Sequence, residues 1–343
     1  MPHPFDLAPI ANEIWRDKYR FAGNATHAGD QTIADTWRRV AQAAASVERD
    51  TDARAVHAAA FEQAMSTLAF LPGGRIIAGA GTGRRVTLFN CFVLGAIPDD
   101  LGGIFAANRE AALTMQQGGG IGHDFSTLRP RGAVLKATGA TASGPVSFMD
   151  VWDSMCRTVM SAGARRGAMM ATLRCDHPDI AEFISAKRTS GRLTNFNMSV
   201  LVTDAFVDAV RHDRSWDLVF DGVVYETIAA RALWQQIMTA TYDHAEPGVI
   251  FIDRVNARNN LGYCETISAT NPCGEQPLPP YGACLLGAIN LTQLIERPFT
   301  NGAHLNRDKL DRLVKTAVRM LDNIIDLSGF PLEAQAQEAR TKR

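Results

Sequence analysis

The segment Asn271-Pro272-Cys273-Gly274-Glu275 packs a carboxamide, a thiol and a carboxylate into five residues, and Cys284 follows Cys273 by eleven. Between Asn271 and Gly282 the chain holds four prolines and two glycines. Proline removes backbone donors and fixes φ, so this segment is neither a regular helix nor a central strand. It reads as a rigid loop that holds a reactive thiol beside a base. Taken singly, Glu275 is an ordinary solvated loop carboxylate and Asn271 a turn former before proline. Their joint spacing around Cys273 is what points to chemistry.

The other motifs are weaker. The six cysteines are Cys91, Cys156, Cys175, Cys264, Cys273 and Cys284, too few for a secreted disulfide scaffold. None shows C-x-x-C spacing, and steps of nine and eleven from Cys264 to Cys273 to Cys284 lack zinc-knuckle spacing, so no metal site is expected. Free cysteine is usually buried packing, the reading taken for Cys156, Cys175 and Cys264. Composition alone gives Cys91 the same reading, inside the apolar run Val86–Leu94. The glycine runs 79–83 and 118–122 complete neither G-x-G-x-x-G nor a Gly-Lys-Ser/Thr loop, so by themselves they are tight turns and a helix stop.

The elements that must position these residues follow from periodicity. Residues 1–74 read as a helical region: Ile33, Trp37, Val40, Ala41 and Ala44 recur at helical spacing, Asp52–Phe70 is a second helix, and Leu71-Pro-Gly-Gly74 ends it. From Arg75 strands and helices alternate. Val86–Leu94, Asn195–Val202 and Val249–Asp253 are strands; Leu101–Gln117, Phe148–Met160, Pro178–Lys187 and Ala229–Tyr242 are helices. Trp216–Phe220 and Val223–Ile228 form a hairpin around Asp221-Gly222. Leu310, Leu313, Val314, Ala317, Val318, Leu321, Ile324 and Ile325 line one face of a last helix. Such alternation predicts an α/β fold with largely parallel strands, open or closed. A net charge of −1 gives no electrostatic case for nucleic acid or a membrane surface. No apolar run approaches the ~20 residues of a membrane span, and no export signal is visible, so a cytoplasmic location is expected.

Several blocks, in order, carry a family resemblance: Val86-Thr-Leu-Phe-Asn-Cys-Phe-Val93, Met115-Gln-Gln-Gly-Gly-Gly-Ile-Gly122, Leu128-Arg-Pro-Arg-Gly132, Ala164-Arg-Arg-Gly-Ala-Met-Met170 and the run 271–291. Together they resemble the large chains of ribonucleotide reductases over essentially the whole length. The eleven-residue step from Cys273 to Cys284, with its Gln-Pro-Leu-Pro-Pro-Tyr-Gly insert, is most similar to the adenosylcobalamin-dependent class II. The resemblance implies a helical domain (1–74) followed, over 75–343, by the first half of a ten-stranded α/β barrel, with a finger loop at about 270–290 in its centre.

The resemblance also implies roles. Cys273 would carry a thiyl radical, Glu275 would be the general base at the 3′-hydroxyl, and Asn271 would bond the substrate. Cys91 would protonate the departing 2′-hydroxyl, and Cys91 with Cys284 would supply two electrons by forming a disulfide. Asn90, Gly119 and Gly120 would border the substrate, a ribonucleoside diphosphate. An ATP or dNTP effector at a dimer interface would be relayed through loops 129–143 and 163–172, with Asp99, Arg165 and Arg166 as its contacts. Adenosylcobalamin is the implied cofactor and a thioredoxin-type protein the implied reductant.

Family members continue for hundreds of residues beyond the position of Arg343. The expectation is a catalytic portion that needs a second polypeptide for the other barrel half, and that alone is inactive and poorly soluble or oligomeric. The alternative is a non-catalytic nucleotide-binding or regulatory remnant, which would have no need to retain all five catalytic residue types.

Overall fold

The computed structural model describes residues 8–134, 139–159, 167–188 and 191–343. The chain divides into two compact units: Met1–Asn90 with Cys284–Arg343, and Cys91–Ala283.

The first unit is mainly helical. Helix Ile33–Ala45 starts at a capping box in which Thr32 and Asp35 satisfy each other's backbone donors. Its expected stripe is its buried face: Trp37, Val40, Ala41 and Ala44 pack with Phe61 and Met65 of helix Thr51–Ser66, and with Ala317, Met320 and Ile324 of helix Arg307–Leu327. Each large side chain buried there stabilises by roughly 1.5–3 kcal/mol. The second helix ends earlier than expected, because Leu68 turns to φ +55° and Phe70–Pro72 pairs antiparallel with Gly287–Ile289. A short helix, Gly74–Gly79, continues where the sequence suggested a stop.

The second unit bears out the α/β expectation. Five parallel strands lie side by side: Cys91–Val93, Gly120–Asp124, Met169–Arg174, Phe196–Val202 and Gly248–Phe251. Helices Leu101–Gln116, Pro145–Thr158, Ile180–Ser185 and Ala230–His244 fall between successive strands. Ala283, the last residue of this unit, opens a short sixth strand at the edge beside Cys91–Val93. The Asp221-Gly222 hairpin forms as expected, with φ of +51° and +75° at the two turn residues.

Two central strands were not foreseen. Gly120–Asp124 and Met169–Arg174 lie in segments read as a glycine turn and an effector loop. The run 86–94 contributes strand only at Cys91–Val93, and Ile252 already begins the next helix, so Val249–Asp253 is half strand. Among the described residues no helix is long and apolar enough to cross a membrane.

Candidate active site

The loop that carries Cys273 is a miniature hairpin. Ala269–Thr270 pairs antiparallel with Pro277–Leu278, Thr270 opposite Pro277. The tip closes on Asn271: Gly274 N–H donates to the Asn271 carbonyl (3.0 Å), Asn271 N–H to the Gln276 carbonyl (3.2 Å) and Gln276 N–H to Asn271 Oδ1 (3.0 Å). Pro272 supplies the fixed φ of the first turn corner, and Gly274 sits at φ +80°. The result is a division of labour. Cys273 and Glu275 stand exposed at the tip, while Asn271 is fully buried beneath them.

Asn271 uses its oxygen to brace the loop, and its Nδ2 is buried without a hydrogen-bond partner among the described residues. An unsatisfied buried donor costs about 1–3 kcal/mol.

The hairpin is seated on the sheet. A Cβ on Gly122 would lie 1.8 Å from the Thr270 carbonyl oxygen, and one on Gly120 would lie 2.7 Å from Pro272 Cγ. Only glycine lets the finger backbone approach so closely. At Gly119 and Gly120, expected to border the substrate, the near neighbours are protein atoms: a Cβ on Gly119 would lie 2.7 Å from the Phe92 ring, and Gly120 faces Pro272. Side chains finish the anchoring. Asn197 Nδ2 donates to the Pro272 carbonyl (2.6 Å), Thr172 Oγ1 to the Ser268 carbonyl (2.9 Å), and Asn256 exchanges two hydrogen bonds with the Ile267 backbone (2.8 and 2.9 Å). None of these three was singled out from sequence. The polar alternation Asn195, Asn197, Ser199 along one strand was the available signal.

Cys91 is buried on its strand, in register with Gly120. In the other unit Cys284 is buried too, and its carbonyl accepts the Asn90 N–H at 3.2 Å. Neither cysteine is in a disulfide. Asn90 is buried, its Oδ1 unpartnered among the described residues, and Gly73 leaves room for it, since a Cβ there would sit 2.7 Å from that oxygen.

Burial pushes the thiols of Cys156 and Cys175 up to about 11 and about 12, which fits inert packing. Cys264 departs from that reading: it is exposed, its Sγ 3.4 Å from the Leu261 carbonyl. Asp99 holds Arg129 through both carboxylate oxygens, at 2.7 Å to Nε and 3.1 Å to the backbone N–H. That carboxylate braces the start of loop 129–143. Arg165 and Arg166 lie outside the described residues. Among the described residues no cluster of His, Cys, Asp and Glu could hold a metal ion.

Comparison with known families decides the assignment. Residues 89–343 match the ribonucleotide reductase barrel domain, and residues 5–85 the ribonucleotide reductase all-alpha domain. The chain belongs to the ribonucleotide reductase family. It is 41% identical over 286 residues to a vitamin B12-dependent ribonucleoside-diphosphate reductase of Thermoplasma acidophilum, covering 82% of this chain and 36% of that protein. A protein of the same name from Mycobacterium tuberculosis is also 41% identical over 286 residues, with 40% of its length covered. A ribonucleoside-diphosphate reductase subunit alpha of Chlamydia muridarum is 27% identical over 340 residues. This ribonucleotide reductase chain thus spans about two fifths or less of the length of the relatives it matches.

Proposed function

We propose that the chain is the catalytic-loop portion of a cobalamin-dependent reductase that converts ribonucleoside diphosphates to deoxyribonucleotides. The observation that carries this is the finger itself: an exposed thiol and carboxylate two residues apart, over a buried amide donor with no partner among the described residues. Hydroxide leaves an unactivated 2′-carbon with difficulty, and a radical at C3′ eases that departure. The Cys273 sulfur, once it has lost its hydrogen atom, takes the 3′-hydrogen from the ribose. Glu275 accepts the 3′-hydroxyl proton as general base. Asn271 Nδ2 donates to the oxygen on which carbonyl character develops. A buried Cys91 protonates the departing 2′-hydroxyl, and the thiols of Cys91 and Cys284 give up two electrons as they form a disulfide. A thioredoxin-type protein then reduces it.

The residues fit the cofactor. An initiator that works from outside the protein needs a thiol it can reach, and the exposed Cys273 provides one where Cys91 and Cys284 do not. When bound, adenosylcobalamin supplies the organic radical that removes the thiol hydrogen. We assign the remaining barrel strands to polypeptide beyond these 343 residues, in keeping with the greater length of the relatives. The effector reading, with ATP or a dNTP at a dimer interface contacting Asp99, Arg165 and Arg166, belongs to the same proposal.

The test is CDP reduction with adenosylcobalamin, ATP or dATP and dithiothreitol, with and without a polypeptide supplying the other barrel half. Activity in the completed enzyme that Cys273→Ala abolishes supports the proposal. An assembled enzyme with no turnover and no cobalt–carbon cleavage overturns it in favour of a regulatory remnant.

A further inference from the structure

The turn that leads out of the finger is held in a backbone conformation its residue disfavours. Gly282 N–H donates to the Pro279 carbonyl at 2.9 Å, which closes a four-residue turn with Pro280 and Tyr281 at its corners. Tyr281 has φ +65°. That corner, after proline, is one where glycine or asparagine is favoured. A tyrosine there costs on the order of 1–2 kcal/mol, so its side chain must return something.

Two contacts do so. The Tyr281 hydroxyl donates to Glu110 Oε2 at 3.2 Å, on helix Leu101–Gln116. The ring lies over Gly95: a Cβ there would sit 2.6 Å from the hydroxyl oxygen and 2.8 Å from Cζ. Burial, then the nearby Glu110 carboxylate, raises the phenol above its ordinary range, so the hydroxyl stays a donor at neutral pH. Immediately after the turn, the Gly282 carbonyl accepts the Val93 N–H at 2.9 Å, two residues from Cys91. Ala283 and Cys284 follow directly in the chain.

We propose that Tyr281, locked by Glu110 and slotted over Gly95, is a positioning residue that sets the register in which the chain delivers Cys284 for disulfide formation with Cys91. This rests on the redox role given to those two cysteines above. The lock replaces the freedom a glycine would bring with one fixed conformation, so the strand leaves the turn with a single alignment.

The experiment oxidises the full 343-residue chain with diamide. Two thiols lose two protons and two electrons to diamide, and one S–S bond forms. The rate of the Cys91–Cys284 linkage is read by alkylation and peptide mass spectrometry, with circular dichroism melts beside it. Tyr281→Phe and Glu110→Ala should each slow the linkage roughly three- to tenfold, the worth of one hydrogen bond. The double variant should be no slower than either single one, because both remove the same interaction. Glu110→Gln keeps an acceptor and should restore the rate. Should Tyr281→Phe fail to fold, Gly95→Ala displaces the ring from below and must slow the linkage as well. A folded Tyr281→Phe chain that links at the wild-type rate overturns the proposal while leaving the redox pair intact. Absence of the linkage in the wild-type chain overturns the redox reading and this proposal with it.

Discussion

The side-chain amide of Asn197 donates a 2.6 Å hydrogen bond to the carbonyl of Pro272, the residue before Cys273. A strand of the rigid sheet thereby grips the peptide that aims the thiol. Asn197→Ala removes a bond with a net worth of about 1 kcal/mol, a modest stability loss. Its effect on catalysis should be larger, because small displacements of a reacting atom cost on the order of tenfold to a hundredfold in rate. In the completed enzyme, kcat should fall with KM nearly unchanged, and Asn197→Asp, which sets an acceptor against an acceptor, should do worse. A variant with full kcat would remove Asn197 from the positioning of Cys273.

Gly122→Ala tests the seating of the finger from the other side. Its Cβ would meet the Thr270 carbonyl oxygen at 1.8 Å, and backbone on both sides leaves no flexible side chain to yield. Overpacking of this kind costs about 1–3 kcal/mol or more. The melting temperature should drop by several degrees, and alkylation of Cys273 should change as the hairpin lifts. An unchanged melt would mean that the finger sits off the sheet.

How much of this was legible in the sequence depended on what each residue was selected for. The buried face of helix Ile33–Ala45 is legible in the sequence, since its apolar stripe answers to packing alone. The Asp221-Gly222 hairpin was legible because its turn demands those two residues. Strand Gly120–Asp124 was hidden because Gly120 and Gly122 answer to the finger lying on them, and glycine suppresses the strand signal. The trio Asn271, Cys273 and Glu275 was visible from spacing. Their anchors were not: Asn197 and Thr172 reach the finger from strands 75 and 96 residues away, so only the fold brings them to it, and the polar alternation around Asn197 does not name its partner.

His123 should make the barrel unit sensitive to mild acid. It is fully buried among Phe125 and Trp152, ring centroids 6.0 and 5.7 Å away, and burial lowers it to about 4. His177 shifts in the same direction, again through burial. The unfolded chain then takes up protons the folded one refuses, so stability is full above about 6.5 and is lost as the pH falls toward 4. Urea unfolding followed by tryptophan fluorescence should show a lower midpoint at pH 5 than at pH 7. Replacing His123 with Phe should flatten that slope, and a slope unchanged by the substitution would assign it elsewhere.

Glu48 should govern a separate, more acidic step in the helical unit. It is buried, and Arg319 grips both its oxygens at 2.7 and 2.6 Å while Asn323 donates at 2.8 Å. The Arg319 hydrogen bond first, then that of Asn323, lower the carboxyl from 4.5 to about 2. The sign is that of a stabilised carboxylate: the contribution is complete above 4.5 and disappears as the pH falls toward 2. Arg319 is about half exposed, so solvent screening keeps the contribution small. Arg319→Met should therefore lower stability modestly at pH 7 and much less at pH 3. Equal destabilisation at both pH values would mean that Arg319 acts through its aliphatic stem, and that Glu48 carries no titrating share of the fold.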